Sequence, residues 1–170
     1  MKKFKVILAT SVNDVLGLNG KIPWDEPEDL VYFQKMTQQT FFPRQNIVVM
    51  GRKTWESLPF KSLSNRRLYV ITRNEQNVLQ SNVYFFSSFQ SAIQNALNSE
   101  SEHIWVAGGK QIYIQAFHHP NCGEIYWNNI NKVILDSNAL ILNSSLFDSH
   151  SKFQRNNILY QVGTMKGVEI

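Results

Sequence analysis

The chain has 170 residues, of which 43% are hydrophobic, and 17 Lys and Arg against 13 Asp and Glu give a formal charge of +4. That length suits one domain over residues 1–170, and the composition is that of an ordinary globular protein. No run approaches the roughly 20 apolar residues of a membrane span, and the basic residues are too scattered for a nucleic-acid surface.

Val6-Ile7-Leu8-Ala9 is too short for a signal peptide and reads as a buried first strand. Asn19-Gly20 marks a turn, and Pro23 stiffens the chain just after it. Asp25, Glu26, Pro27, Glu28 and Asp29 crowd a helix start, where acids and proline are favoured. Leu30, Phe33 and Thr37 share one face of that helix, with Val31 and Met36 broadening it. Ile47 to Met50, Leu68 to Thr72, Val83 to Phe86 and Ile104 to Ala107 read as strands, the first a continuous apolar run covered on both faces. Ser88 to Asn98 and Lys110 to Phe117 read as helices, and Glu124 to Ile130 as a further strand. Beyond Asn128 the pattern weakens, with one or two strands, such as Ile158 to Val162, returning to the sheet edge. The alternation predicts an α/β domain.

The single cysteine, Cys122, excludes an intrachain disulfide; it reads as an inert thiol in a turn and fits a reducing compartment such as the cytoplasm. His118 and His119 precede Pro120 in a predicted surface loop, no Cys/His spacing suits zinc, and no nucleophile elbow is present. Chemistry in this chain therefore points to a bound organic cofactor and no metal.

Three places could carry it. Asp29 lies beside an apolar helix face, where a carboxylate needs a partner; a flat ligand with adjacent N–H and amino donors would pair with it bidentately. The bland alternative is an acidic helix start facing water, as for Asp25, Glu26 and Glu28. Gly51-Arg52-Lys53-Thr54 joins a strand to a helix start that attracts phosphate, or is a plain turn. Gly108-Gly109 makes a second such junction, where backbone can approach an anion. Neither matches the dinucleotide or Walker glycine patterns.

Three stretches together resemble the dihydrofolate reductase family. They are Leu16-Gly17-x-x-Gly20-x-Ile22-Pro23-Trp24 with Asp29-Leu30-x-x-Phe33 and Thr37, then Val49 to Pro59, then Ile104 to Tyr113. The resemblance implies a central eight-stranded, mostly parallel sheet flanked by helices. It also implies reduction of 7,8-dihydrofolate by hydride transfer from NADPH to pterin C6, with protonation at N5. Asp29 would bind the pterin's N3 and amino group, with Trp24 holding part of a water network, and these two are the catalytic pair. Ile7, Ala9, Leu30, Phe33, Leu58 and Asn128 would line the substrate site, and Arg66 would pair with the glutamate tail. Ala9, Leu16 and Tyr113 would surround the nicotinamide, with Gly17 and Gly20 in a mobile segment from Asn13 to Trp24 that closes over it. Arg52, Lys53 and Thr54 would hold cofactor phosphates, with Arg52 and Arg73 selecting the 2′-phosphate, and Gly51, Ser57 and Thr72 would also bind the cofactor. Ala107, Gly108, Gly109, Lys110, Gln111 and Ile112 would complete the cofactor site.

The chain departs from the family's pattern in places. Asn128 stands where a Thr is usual, and Ala107 replaces a larger branched residue. Asp136-Ser137 is similar to the family's Asp-Thr element with one residue missing, and the ending from Tyr160 to Ile170 lacks an aromatic-rich terminal strand. Three alternatives therefore stand beside the main reading. One is the related pyrimidine reductase of riboflavin synthesis, which needs neither the Trp24–Asp29 pair nor Arg66. Another is a reductase-like module that binds ligand without turnover. The third concerns context: a monomer, or the reductase part of a larger reductase–thymidylate synthase polypeptide.

Overall fold

The computed structural model describes residues 2–41, 43–58, 63–74 and 80–166. Pro59, at the end of the second family-like stretch, and the last four residues of the chain lie outside them. Among the described residues, ten strands and four helices run in the order β1 (Phe4–Ser11), β2 (Val15–Leu18), α1 (Pro27–Gln38), β3 (Asn46–Gly51), α2 (Arg52–Ser57), β4 (Arg66–Ile71), β5 (Val83–Phe86), α3 (Phe89–Leu97), β6 (Ile104–Val106), α4 (Lys110–Phe117), β7 (Cys122–Ile130), β8 (Ala139–Ile141), β9 (Phe147–Arg155) and β10 (Ile158–Met165).

Eight strands form one sheet in the order β5-β4-β3-β6-β1-β7-β10-β9. All neighbours from β5 to β7 are parallel, and β10 is antiparallel to both β7 and β9. The period of two in a strand explains the apolar runs, because each sends alternate residues to opposite faces. Val6 and Leu8, Ile47 and Val49, and Ile104 and Val106 pack with α3 and α4 in one core. Ile7, Val48, Met50 and Trp105 pack with α1 and α2 in the other.

Helix α3 begins after Ser88, whose hydroxyl accepts the Ser91 N–H, and its apolar stripe of Phe89, Ala92, Ile93 and Ala96 is buried. Helix α1 has Pro27 at its start and acidic Glu28 and Asp29 in its first turn, but its N-cap Glu26 makes no side-chain cap. At its other end the Asn46 amide donates to the Thr37 and Gln39 carbonyls at 2.9 Å each.

Several expectations change. Val31 is 64% exposed, so it does not extend the packed face of α1. His118 and His119 do lie in the turn after α4, with His118 exposed and His119 half-buried, its ring packed edge-on to Phe4 at 5.4 Å. Cys122 opens a strand instead of lying in a turn, and burial pushes its thiol up to about 11, which keeps it unreactive. The sequence beyond Asn128 yields three strands. β9 is polar and exposed over most of its length, as an edge strand is. Gly163 sits at a register shift opposite it, where a Cβ would overlap the Asp148 carbonyl.

Candidate functional site

The carboxyl ends of the central parallel strands bring Ala9, Gly51, Ala107 and Asn128 together, whereas Arg66 opens β4 opposite Asn46 at the amino end of the strands. Asn128 on β7 pairs in register with Ala9 on β1, and Ile7 pairs with Tyr126. Above them α1 lays Asp29 against β7, where the Asn128 amide donates to the carboxylate at 3.3 Å. Burial lifts the Asp29 carboxyl above its ordinary 3.8, hydrogen bonds from Asn128 and Trp24 pull it back, and the nearby Glu26 charge lifts it further. Asp29 is therefore no water-facing helix-start acid. Trp24 contributes to that lowering. Asn128 is fully buried, and its Oδ1 has no hydrogen-bond partner among the described residues.

The two glycine junctions lie side by side. The Gly51 N–H donates to the Gly108 carbonyl at 2.8 Å, and the Ala107 N–H to the Val49 carbonyl at 2.9 Å. The Gly108–Gly109 peptide is cis, and Gly108 has φ 112°, a region open to glycine. A Cβ on Gly108 would meet the Tyr113 ring at 3.2 Å, and one on Gly109 the Thr54 hydroxyl at 3.3 Å. The junctions thus form a close cradle that side chains would fill. Tyr113 ties it to the Asp29 side: its hydroxyl donates to the Ile7 carbonyl at 2.8 Å, and burial, then the Asp29 charge, pushes that hydroxyl far above its ordinary range. Ile112 is buried beneath, against Gly51, while Lys110 and Gln111 start α4 nearer the surface. Beyond Gly51, Arg52 pairs with Glu56 at 3.7 Å one helical turn on, and Ser57 donates to the Thr54 carbonyl at 2.6 Å. Lys53 and Arg73 are exposed, and Thr72 bonds to the Asn74 backbone.

On the α1 face, Phe33 and Leu58 are half-buried against the second core, and Leu30 is 43% exposed. Arg66 has the least expected setting. The pleat of β4 turns Arg67 outward and Arg66 inward, leaving Arg66 1% exposed. Its guanidinium donates to Thr37 Oγ1 at 2.9 Å, Gln34 Oε1 at 2.6 Å and the Ser64 carbonyl at 3.0 Å. Among the described residues no carboxylate pairs with it, and burial lowers it to about 10. A buried cation held only by neutral acceptors is suited to an incoming anion. The role of Gln34 escaped the sequence reading, although Gln34 and Thr37, three residues apart on one helix, are a polar break in an apolar face.

The segment from Asn13 to Trp24 is strapped down by contacts that its sequence did not suggest. β2 pairs with β8, so Gly17 lies opposite Leu140. The Asn13 amide donates to the Ile134 carbonyl at 2.8 Å and accepts its N–H at 3.1 Å, and Asp14 Oδ2 accepts the Ser144 N–H at 3.1 Å. Leu16 packs against the first core, while Asn19 and Gly20 form the turn at positive φ. Among the described residues no group of three or more His, Cys, Asp and Glu is placed to hold a metal, and no helix is long and apolar enough to cross a membrane.

A mostly parallel sheet covered by helices on both faces defines an α/β protein. The family described as dihydrofolate reductase matches residues 3–157, and the chain belongs to that family. It is similar to the dihydrofolate reductase of Heliothis virescens, 36% identical over 137 residues, covering 76% of this chain and 74% of that one. Its similarity to the dihydrofolate reductase of Buchnera aphidicola subsp. Baizongia pistaciae is 38% identity over 130 residues, covering 76% and 72%. The bifunctional dihydrofolate reductase-thymidylate synthase of Glycine max is 34% identical over 142 residues, covering 78% of this chain but 27% of that protein.

Proposed function

We propose that the chain reduces 7,8-dihydrofolate to 5,6,7,8-tetrahydrofolate with NADPH. The observation that carries this reading is the half-buried carboxylate of Asp29, which accepts a hydrogen bond from the buried Asn128 and has its pKa raised by burial. Family membership supports a nicotinamide cofactor. The bound cofactor supplies the hydride received at pterin C6.

The chain's own residues bind, orient and exclude water. Asp29 accepts from the pterin's N3–H and amino group, and by fixing that edge it favours protonation at N5. A carboxyl that burial makes easier to protonate suits a reaction that consumes a proton. Ile7, Ala9, Leu30, Phe33 and Leu58 form the apolar walls, and the exposure of Leu30 leaves apolar surface for a ring to cover. Arg66 takes the tail carboxylate. The cradle of Gly51, Ala107, Gly108 and Gly109, with Ile112, Tyr113 and Leu16, fits the nicotinamide side, because backbone there is approachable only without side chains. Gly17 and Gly20 shape the covering segment, and Lys110 and Gln111 the start of α4. Arg52, Lys53, Thr54, Ser57, Thr72 and Arg73 take the phosphates, and the two arginines favour NADPH over NADH.

The pyrimidine-reductase alternative leaves Arg66 and the Trp24–Asp29 contact without a purpose. We infer a cytoplasmic, monomeric reductase domain; the bifunctional reductase–thymidylate synthase names of some relatives keep a larger polypeptide open as the alternative. Incubation with dihydrofolate and either NADPH or NADH, with mass-spectrometric identification of the pterin product, tests the reading. Tetrahydrofolate formed preferentially with NADPH is expected; a chain that binds both ligands without product would overturn it.

A further inference from the structure

The N-cap and first turn of α1 carry three acids, Glu26, Glu28 and Asp29, and each accepts a hydrogen bond from an asparagine on the C-terminal part of the sheet. Asn128 donates to Asp29 at 3.3 Å, Asn156 to Glu28 Oε1 at 2.7 Å, and Asn157 to Glu26 Oε1 at 3.5 Å. Asn156 and Asn157 form the tip of the β9–β10 hairpin, about as distant in sequence from α1 as the chain permits. The helix start needs such help, because Glu26 provides no side-chain cap; its backbone carbonyl accepts the Asp29 N–H at 3.0 Å. Among the described residues, no Lys, Arg or His forms an ion pair with any of the three acids. Amide donors hold a carboxylate without cancelling its charge, so this arrangement fixes the turn while leaving Asp29 free to accept from a ligand.

We propose that the β9–β10 hairpin tip is a positioning element for the substrate-binding carboxylate, with Asn156 and Asn157 as positioning residues that act on Asp29 through Glu28 and Glu26. The tip is itself braced: Gln154 donates to the Asn156 carbonyl at 2.8 Å, and Asn156 holds a left-handed φ of 53°, which asparagine and aspartate tolerate. The hairpin lies at the sheet edge, yet β10 also pairs with β7, in register at Ile158 with Ile130 and Leu159 with Asn129. The strand that presents Asn128 and the tip that presents Asn156 and Asn157 are therefore one rigid frame around the helix start. The proposal rests on the reading of Asp29 as the pterin's partner.

The test is Asn156→Asp, which keeps the backbone conformation but sets a carboxylate against Glu28. The expected result is a rise of about fivefold in KM for dihydrofolate, the size of one ordinary net hydrogen bond at an exposed position, with KM for the nicotinamide cofactor unchanged. Adding Glu28→Gln restores a donor–acceptor pair and returns KM to within about twofold of wild type. Thr164→Ala, which removes only the His150–Thr164 contact elsewhere in the hairpin, leaves both constants unchanged. Unaltered KM in Asn156→Asp, an equal loss toward cofactor, or no recovery in the double variant would overturn the proposal. Amide exchange at Asp29 reads the tether without turnover: it accelerates in Asn156→Asp, and unchanged exchange contradicts the tether. Absence of dihydrofolate turnover in the wild type would instead strike the functional reading.

Discussion

Replacing Arg66 by Leu separates the chemistry of this site from its packing. The guanidinium is 1% exposed, makes three hydrogen bonds to neutral acceptors and is lowered to about 10 by burial. Its charged form is therefore costly in the folded chain, and an arriving carboxylate recovers part of that cost. Hydrogen bonds to charged groups are worth about 1.5–3 kcal/mol, so losing the fork should raise KM for dihydrofolate by roughly 10- to 150-fold. Removing a buried charge offsets the acceptors left on Thr37, Gln34 and Ser64, so the melting temperature of the free protein should move by only a few degrees. A reduced pterin without the glutamate tail should be turned over as well by the variant as by the wild type. Arg66→Lys should fall between, because a point charge cannot reproduce the fork. The assay is steady-state oxidation of NADPH with each pterin. Equal losses on tailed and tail-less substrates would refute the assignment of Arg66 to the tail.

Other consequences concern stability. The raised pKa of Asp29 means that the folded chain holds its proton more tightly than the unfolded chain, so stability falls as pH rises from the ordinary carboxyl range through the raised folded value. Asp29→Asn should flatten that part of the profile and raise the melting temperature of the free protein near neutrality; an unchanged profile would contradict the burial cost. Gly108→Ala should cost about 1–3 kcal/mol through its positive φ and the 3.2 Å approach to Tyr113, with cofactor affinity falling further than stability; calorimetry and cofactor titration check both. Asn13→Ala removes both bonds to Ile134, at roughly 1 kcal/mol each, and should speed proteolysis within residues 13–18 while leaving Arg66-dependent substrate selectivity intact.

The parallel half of the fold was legible because strands covered on both faces leave unbroken apolar runs, as in Ile47 to Met50. β9 was not legible, since an edge strand exposed on both faces, with Ser149, Ser151 and Lys152 in sequence, carries no alternation. β2 and β8 are short, and their pairing is set by the caps from Asn13 and Asp14, which depend on distant backbone. At the site, motif spacing brought Asp29, Gly51 and Gly108 forward, yet neither the burial of Arg66 nor the bond from Tyr113 to Ile7 can be read from local pattern, because both are fixed by strand register. The same holds for Asn156 and Asn157: an Asn-Asn turn is readable as a turn, but what its side chains reach depends on where the sheet edge ends.

The role of Asp29 is the centre of the account, and the most direct test is the pH dependence of dihydrofolate-dependent NADPH oxidation in wild type and Asp29→Asn. The variant should show a large fall in rate at neutral pH, with partial recovery as pH drops and the pterin is protonated from solvent. A variant that retained wild-type rate across the pH range would contradict it.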